Sequence, residues 1–123
     1  MNIEHPLHIG KALRNVLLSS KDITDIIGDE IHAYTTRNVV NGPHIIFDDV
    51  TVTYSESKDG CYADTAELYI RANTCEYAQG VDLASAIVDT LLEYDNISIG
   101  VVDCEYVDSA NMYVHNISIT IQL

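Results

Sequence analysis

Asp48 and Asp49 stand side by side, four residues after His44, a carboxylate pair and an imidazole of the kind that bind divalent metals. Neighbouring residues of a strand point to opposite faces, however, so adjacent carboxylates do not share one ion unless a bulge intervenes. No metal site is assigned there. His5, His8, His32, His44 and His115 show no HExxH or comparable ligand spacing, and each is read as a surface or interface imidazole. Ser19-Ser20 lacks the GxSxG elbow of a nucleophilic serine. No GxxxxGK[ST] or GxGxxG loop is present to cradle phosphate. Cys75 opens a helical stretch, where the helix dipole can lower a thiol pKa, but no motif supports reactivity and partial burial is expected. With Cys61 and Cys104 it makes three widely spaced cysteines and no CxxC, which fits reduced thiols better than a disulfide framework or a zinc site. No catalytic, cofactor-binding or metal-binding residue is assigned, and the chain is not read as an enzyme.

The elements that carry these residues follow from hydrophobic period. Ala66, Leu68, Ile70 and Ala72 alternate with Glu67, Tyr69, Arg71 and Asn73, which predicts a strand with one buried face. Beyond Thr74, a plausible N-cap, the step changes to three and four: Tyr77, Val81, Ala84, Val88 and Leu91, widened by Ile87 and Leu92, predict an amphipathic helix over 77–92. Gly80 inside it is read as allowing close approach of helix to sheet. Upstream, Pro6 opens a helix whose stripe is Ile9, Leu13, Val16 and Leu17. It is interrupted over Ser19 to Asp22, resumes through Ile23, Ile26 and Ile27, and stops at Gly28. Glu30 to Tyr34 reads as a short strand, Thr35 to Gly42 as a loop and His44 to Ser57 as an extended run. Lys58-Asp59-Gly60 is a hairpin turn into the strand at 66–74. Ile97 to Val107 and Met112 to Leu123 are two further strands about a turn at 108–111. The order is helix, strands, helix, strands, without βαβ alternation. It predicts an α+β fold: an antiparallel β-sheet with two main α-helices packed on one face, in one domain over 1–123.

Composition narrows the partners. The formal net charge is −13, from 19 acidic and six basic residues. Phosphate gripping needs clustered Lys and Arg, so the composition argues against a nucleic-acid-gripping module, and contact with DNA is expected to be non-adhesive. Lys11, Arg14 and Lys21 fall in the first helical region. That asymmetry fits either a solvated helix face or attraction of this helix to an acidic neighbouring subunit. No apolar run approaches the roughly 20 residues that cross a bilayer, and Met1 to His8 has no basic and apolar signal pattern, so synthesis in the cytoplasm is expected. Eight tyrosines accompany one Phe and no Trp; Tyr34, Tyr54, Tyr62, Tyr69, Tyr106 and Tyr113 lie in or near strands, where an amphipathic ring suits half-buried positions and interfaces. The sequons at Asn96 and Asn116 are read as polar positions flanking or lining strands.

The chain resembles, over essentially its full length, the tail terminator or tail-completion proteins of long-tailed bacteriophages. The resemblance rests on Ile9-Gly10-Lys11-Ala12-Leu13-Arg14, on Ile23-Thr24-Asp25-Ile26-Ile27-Gly28-Asp29 leading to Ile31, and on Gly42-Pro43-His44-Ile45-Ile46-Phe47. It continues through Tyr77-Ala78, Leu83-Ala84, Ile87-Val88 and Leu91-Leu92 to Ile117-Ser118-Ile119-Thr120-Ile121. His44 stands where the family commonly has an aromatic residue. The resemblance implies a non-enzymatic virion subunit without cofactor, made in the host cytoplasm and residing at the tail–head junction. It further implies a homo-oligomeric, typically sixfold ring that caps the tail tube, meets tube protein and neck or head-completion proteins, and lets DNA pass without tight binding, with no membrane contact. On that reading some of Asp48, Asp49, Glu56, Asp59, Asp64 and Glu67 line the channel or its mouth. The loop bearing Arg37 and Asn38 and the hairpin tip at 55–62 are contact elements, and Lys11 and Arg14 are candidate interface residues. Two alternatives stay open: a head-closure or neck connector ring, and a small oligomeric ligand-binding α+β domain, the latter marked by an apolar pocket with convergent polar groups.

Overall fold

The computed structural model describes residues 5–35 and 40–123. A 3-10 turn, Pro6–His8, leads into helix α1 (Ile9–Leu18), followed by α2 (Lys21–Ile27), β1 (Ile31–Ala33), β2 (His44–Ser57), β3 (Gly60–Thr74), α3 (Tyr77–Leu91), β4 (Ile97–Val107) and β5 (Met112–Gln122). The break at Ser19-Ser20 separates α1 from α2 outright: the Ser20 hydroxyl accepts from the Ile23 N–H and caps the second helix. Gly28, with φ of 64°, ends α2 by donating its N–H to the Thr24 carbonyl.

The strands form one sheet in the order β1-β2-β3-β5-β4. Three pairings are antiparallel, but β1 runs parallel to β2, so the α+β fold carries a mixed sheet where a wholly antiparallel one was expected. The cause lies in the connection. Residues 34–43 are far more chain than a two-residue hairpin uses, and that length lets β2 start again beside the beginning of β1 and run the same way.

The core lies between the sheet and the helices. Ile9, Leu13 and Leu17 of α1, Ile23 of α2 and Leu83, Ile87 and Leu91 of α3 pack against Ile45, Leu68, Ile70, Ile117 and Ile121 of the sheet, all of them essentially out of water. Burying each such side chain contributes about 1.5–3 kcal/mol. The buried face of α3 is Gly80, Leu83, Ala84, Ile87 and Leu91, rotated from the predicted stripe, and Tyr77, Val81 and Leu92 are exposed. Gly80 sets that rotation. A β-carbon there would stand 2.6 Å from Cε1 and 2.7 Å from Nδ1 of His115, and 2.7 Å from Thr74 Oγ1, so the helix seats its glycine on the sheet and turns Tyr77 and Val81 outward. Thr74 is not the N-cap. Two further residues intervene before the helix, Glu76 takes the cap position without a side-chain bond, and the Thr74 hydroxyl donates to the Glu76 carbonyl at 2.9 Å.

Two bulges decide which side chains share a face. In β2 the pairing passes from Asp48↔Tyr69 to Thr51↔Glu67, leaving Asp49 and Val50 against one residue, and Asp49 takes φ of 52° to do so. In β4 it passes from Ile99↔Ile119 to Val102↔Ile117, where the Ser118 hydroxyl accepts the Val101 N–H at 2.8 Å. Beyond the reach of β5, which pairs with β3 only from Thr65 onward, the β2–β3 hairpin continues as a two-stranded ribbon to the Lys58-Asp59 turn.

Candidate functional site

Residues of β3 at odd positions and of β5 at even positions face away from the helices, and the register sets Arg71 directly opposite Asn116, and Asn116 opposite Asp103 of β4. A polar ladder therefore crosses four strands of the outer face. The Arg71 Nε donates to both Asp48 oxygens at 2.9 Å, one terminal nitrogen to Asn116 Oδ1 at 2.6 Å, and the other to Asp49 Oδ2 at 3.3 Å. The Asn116 amide nitrogen donates onward to Asp103 at 2.9 Å and Glu105 at 3.3 Å. The guanidinium carbon lies 4.8 Å from the centre of the Tyr69 ring, a cation–π contact. The hydrogen bond to Asp48 raises the Arg71 pKa above its ordinary value, outweighing partial desolvation.

The bulge that the opposite-faces reading of Asp48 and Asp49 excepted is present. The bulge brings both carboxylates to one cation, and that cation is Arg71, already engaged on every side. An arginine held by carboxylates and an amide has neither a free acid nor a free base to offer, so the ladder is a fixed array of charge. Asp48, Asp49, Asp103 and Glu105 surround this single guanidinium, leaving the patch net negative.

Glu67 is exposed and, with Asp49, Tyr69 and Thr120, borders a shallow polar hollow of about 410 Å³ on the same outer face. Glu56 and Asp59 sit at the ribbon tip, and Asp64 accepts from the Ser55 hydroxyl at 3.1 Å on the ribbon, away from the Arg71 ladder. Lys11 and Arg14 are on α1, and Arg14 reaches the Asp29 carbonyl at 3.4 Å. Arg37 and Asn38 lie outside the described residues. Arg71, Asn116, Asp103 and Glu105 were not singled out by sequence reasoning; their only signal was polar alternation on adjacent strands.

A second feature lies on the helix side, where α3 leaves the edge strand β4 uncovered. A groove of about 450 Å³ runs there, lined by Tyr77, Val81, Val88, Val102, Cys104 and His115 among others, with Asp89 also in its wall; Asp103 borders it too, but its carboxylate is turned to Asn116 on the outer face. His115 is only 5% exposed, and its Nδ1 has no hydrogen-bond partner. Burial pushes its imidazole below the ordinary value of 6.5. The Cys104 thiol is pushed up, first by burial and then by Asp103 and Glu105, so it is held in its unreactive form.

The remaining imidazoles and thiols divide. His44, expected at the surface or an interface, is buried within the chain with Nδ1 2.9 Å from the Gly42 carbonyl, and His115 is buried likewise; His5 and His8 are exposed. Both exceptions sit on interior strands of the sheet, His44 at the start of β2 and His115 within β5 beneath Gly80, under cover that single-strand alternation does not reveal. Cys75, expected to be partly buried, is exposed, with its Sγ 3.2 Å from the Asn41 carbonyl, because the turn of Cys75 and Glu76 stands clear of the sheet. All three cysteines are free. Among the described residues no group of three His, Cys, Asp or Glu is arranged to hold a metal ion, and no helix is long and apolar enough to cross a membrane.

No protein-family profile and no curated protein sequence matches the chain. Among solved structures, the fold is similar to that of a chain in the virion of a native gene transfer agent particle, with a TM-score of 0.78 over 93% of this chain and 92% of that one at 15% sequence identity. The likeness is one of fold.

Proposed function

We propose that the chain is a structural, non-enzymatic subunit of a phage-like virion, and within that class a tail terminator whose copies close a ring, typically of six, between tail tube and neck. The observation that carries the reading is the fold shared, over nearly the whole of both chains, with a component of a gene transfer agent virion. The outer sheet face supports it. Asp48, Asp49, Glu67, Asp103 and Glu105, with one arginine already neutralised among them, present fixed negative charge, which repels phosphate and suits a passage through which DNA must slide. On this reading the outer face lines the channel, the ribbon with Glu56, Asp59 and Asp64 stands at its mouth, and the 35–42 loop meets the tube or neck.

The test is the mass of the purified protein over a concentration series, with electron microscopy of what forms, alone and with added tail tubes. Closed rings with a central hole are expected. A monomer under every condition, tubes included, sinks the ring, and a ring carrying Asp48, Asp49 and Glu67 on its outer wall sinks the channel assignment. A neck connector would form rings that bind head-completion protein and leave tubes uncapped. The ligand-binding alternative is favoured by one feature, the largely apolar groove with Asp89 in its wall, and it predicts a monomer or small oligomer that retains a small molecule on purification.

A further inference from the structure

The two edges of the sheet differ in charge and in cover. At the β4 edge, Val102 is 46% exposed although the β4 bulge turns it toward the helix side, because α3 stops short of the edge strand. Tyr77 and Val81 of α3 are exposed across the groove from it, and the titratable side chains on this side of the sheet are Tyr77, Asp89, Cys104 and His115, none of them a permanent cation, the Asp103 carboxylate being held by Asn116 on the outer face. An apolar trough with Tyr77, Val81 and Val102 exposed in its walls and the Asp89 carboxylate beside them is an incomplete surface.

At the opposite edge lies α1. Gly10 packs so closely on Phe47 of β2 that a β-carbon would stand 2.6 Å from the ring, and Arg14 touches the backbone just ahead of β1. The helix therefore covers the β1–β2 end of the sheet. Leu7, Lys11 and Arg14 follow one another at steps of four and three along one side of this helical run. Leu7 and Lys11 are exposed and Arg14 is half-buried. An exposed leucine followed by two cations complements a groove with apolar walls and the Asp89 carboxylate beside them.

We infer that the Leu7–Lys11–Arg14 stripe of one copy docks in the α3–β4 groove of the next. The inference rests on the ring reading and names the surfaces that build it. Because donor and acceptor surfaces lie at opposite edges of the sheet, the contact is head-to-tail, the type that closes into rings rather than stopping at dimers.

Two surface variants test it. K11E/R14E makes the stripe acidic, and S85K/D89K makes the exposed α3 wall of the groove basic. Each alone faces like charge across the contact, and its assembly midpoint should rise at least about tenfold over the unmodified protein at low salt. Mixed one to one, each variant's stripe finds the other's groove complementary, and rings of alternating subunits should return. Either variant assembling as well as the unmodified protein, or a mixture that stays apart while both components keep their melting temperatures, overturns the assignment. Should a variant fail to fold, amide exchange on the unmodified protein decides: assembly should slow exchange across 77–89 and 97–105, and rings without such protection refute the groove. If the unmodified protein forms no ring even on tail tubes, the ring reading falls and this contact with it. Rings indifferent to the swaps remove this contact alone.

Discussion

Replacing Arg71 with alanine tests whether the outer-face ladder is a structural unit or a set of independent surface acids. Arg71 and Asp48 keep only 27% and 22% of their side-chain surface, so their two-oxygen contact is largely shielded from solvent and its loss is expected to cost about 1.5–3 kcal/mol. Asn116, buried in the sheet, loses the donor to its Oδ1, about 1 kcal/mol more. The Asp49 contact, at 3.3 Å to a carboxylate that is 67% exposed, adds little. The total is about 3 kcal/mol, which for a chain of this size lowers the melting temperature by about 10 °C. Urea unfolding of the monomer read by circular dichroism measures the free energy, and a midpoint shift without a change in slope assigns it to the folded state. Two further arms separate charge from packing. Salt should recover part of the loss, because Asp48, Asp49, Asp103 and Glu105 repel once the guanidinium is gone. Adding Asp48→Asn to Arg71→Ala should restore about 1 kcal/mol by removing the stranded carboxylate, although Asp48→Asn alone destabilises. A loss below about 1 kcal/mol, insensitive to salt and additive with Asp48→Asn, would refute the argument that these groups act together.

Three other outcomes follow from the packing. Gly80→Ala gains about 1 kcal/mol of helix propensity but drives a β-carbon into His115 and Thr74, so a net loss of about 1–2 kcal/mol is expected in urea, and a more stable variant would show that the seat is looser than drawn. Gly100→Ala would stand 2.5 Å from Ser118 Oγ and displace the hydroxyl that holds the Val101 N–H; a loss of about 1 kcal/mol is expected and should shrink in a Ser118→Ala background, strict additivity being the contrary result. His115 supplies a pH dependence. Burial holds its folded pKa below the unfolded 6.5, so the unfolded chain takes up the proton first, and the stability present above pH 6.5 declines as pH falls below it. His115→Asn should flatten that slope between pH 7 and 5.5, since the carboxylates titrate in both proteins; identical slopes would place the loss elsewhere.

The elements were legible wherever period and punctuation agreed. The alternation at 66–72, the Asp59-Gly60 turn and the Gly28 stop each match the structure, because each depends on residues close in sequence. Helix α3 was found, but its buried face was rotated. An amphipathic stripe counts Tyr77 and Val81 as core, while the angle at which a helix sits is fixed by the partner it touches, here His115 beneath Gly80, 35 residues away. The parallel β1–β2 pair escaped for a related reason: a three-residue strand carries no signal of direction, and only the length of the connection that follows it bears on the question.

The candidate sites were hidden by register. Sequence reasoning weighed Asp48 and Asp49 as a pair and set them on opposite faces unless a bulge intervened, and nothing in the run from Ile45 to Thr53 announces that bulge or the φ of 52° that Asp49 adopts in it. Once that bulge forms, both carboxylates need a cation, and the antiparallel register of β2 with β3 delivers Arg71; the register of β3 with β5 then delivers Asn116, which carries the chain of bonds to Asp103. Each step depends on a pairing between strands, and a pairing cannot be read from one strand at a time. The β4 bulge works the same way on the other side of the molecule. By shifting Val102 and Cys104 into line with Ile117 and His115, it turns an edge that would have alternated polar and apolar into the wall of a groove. Two single-residue irregularities thus assign the outer face its charge and the β4 edge its hydrophobicity. Restoring regular register in β4 should therefore change how the protein associates before it changes whether the protein folds.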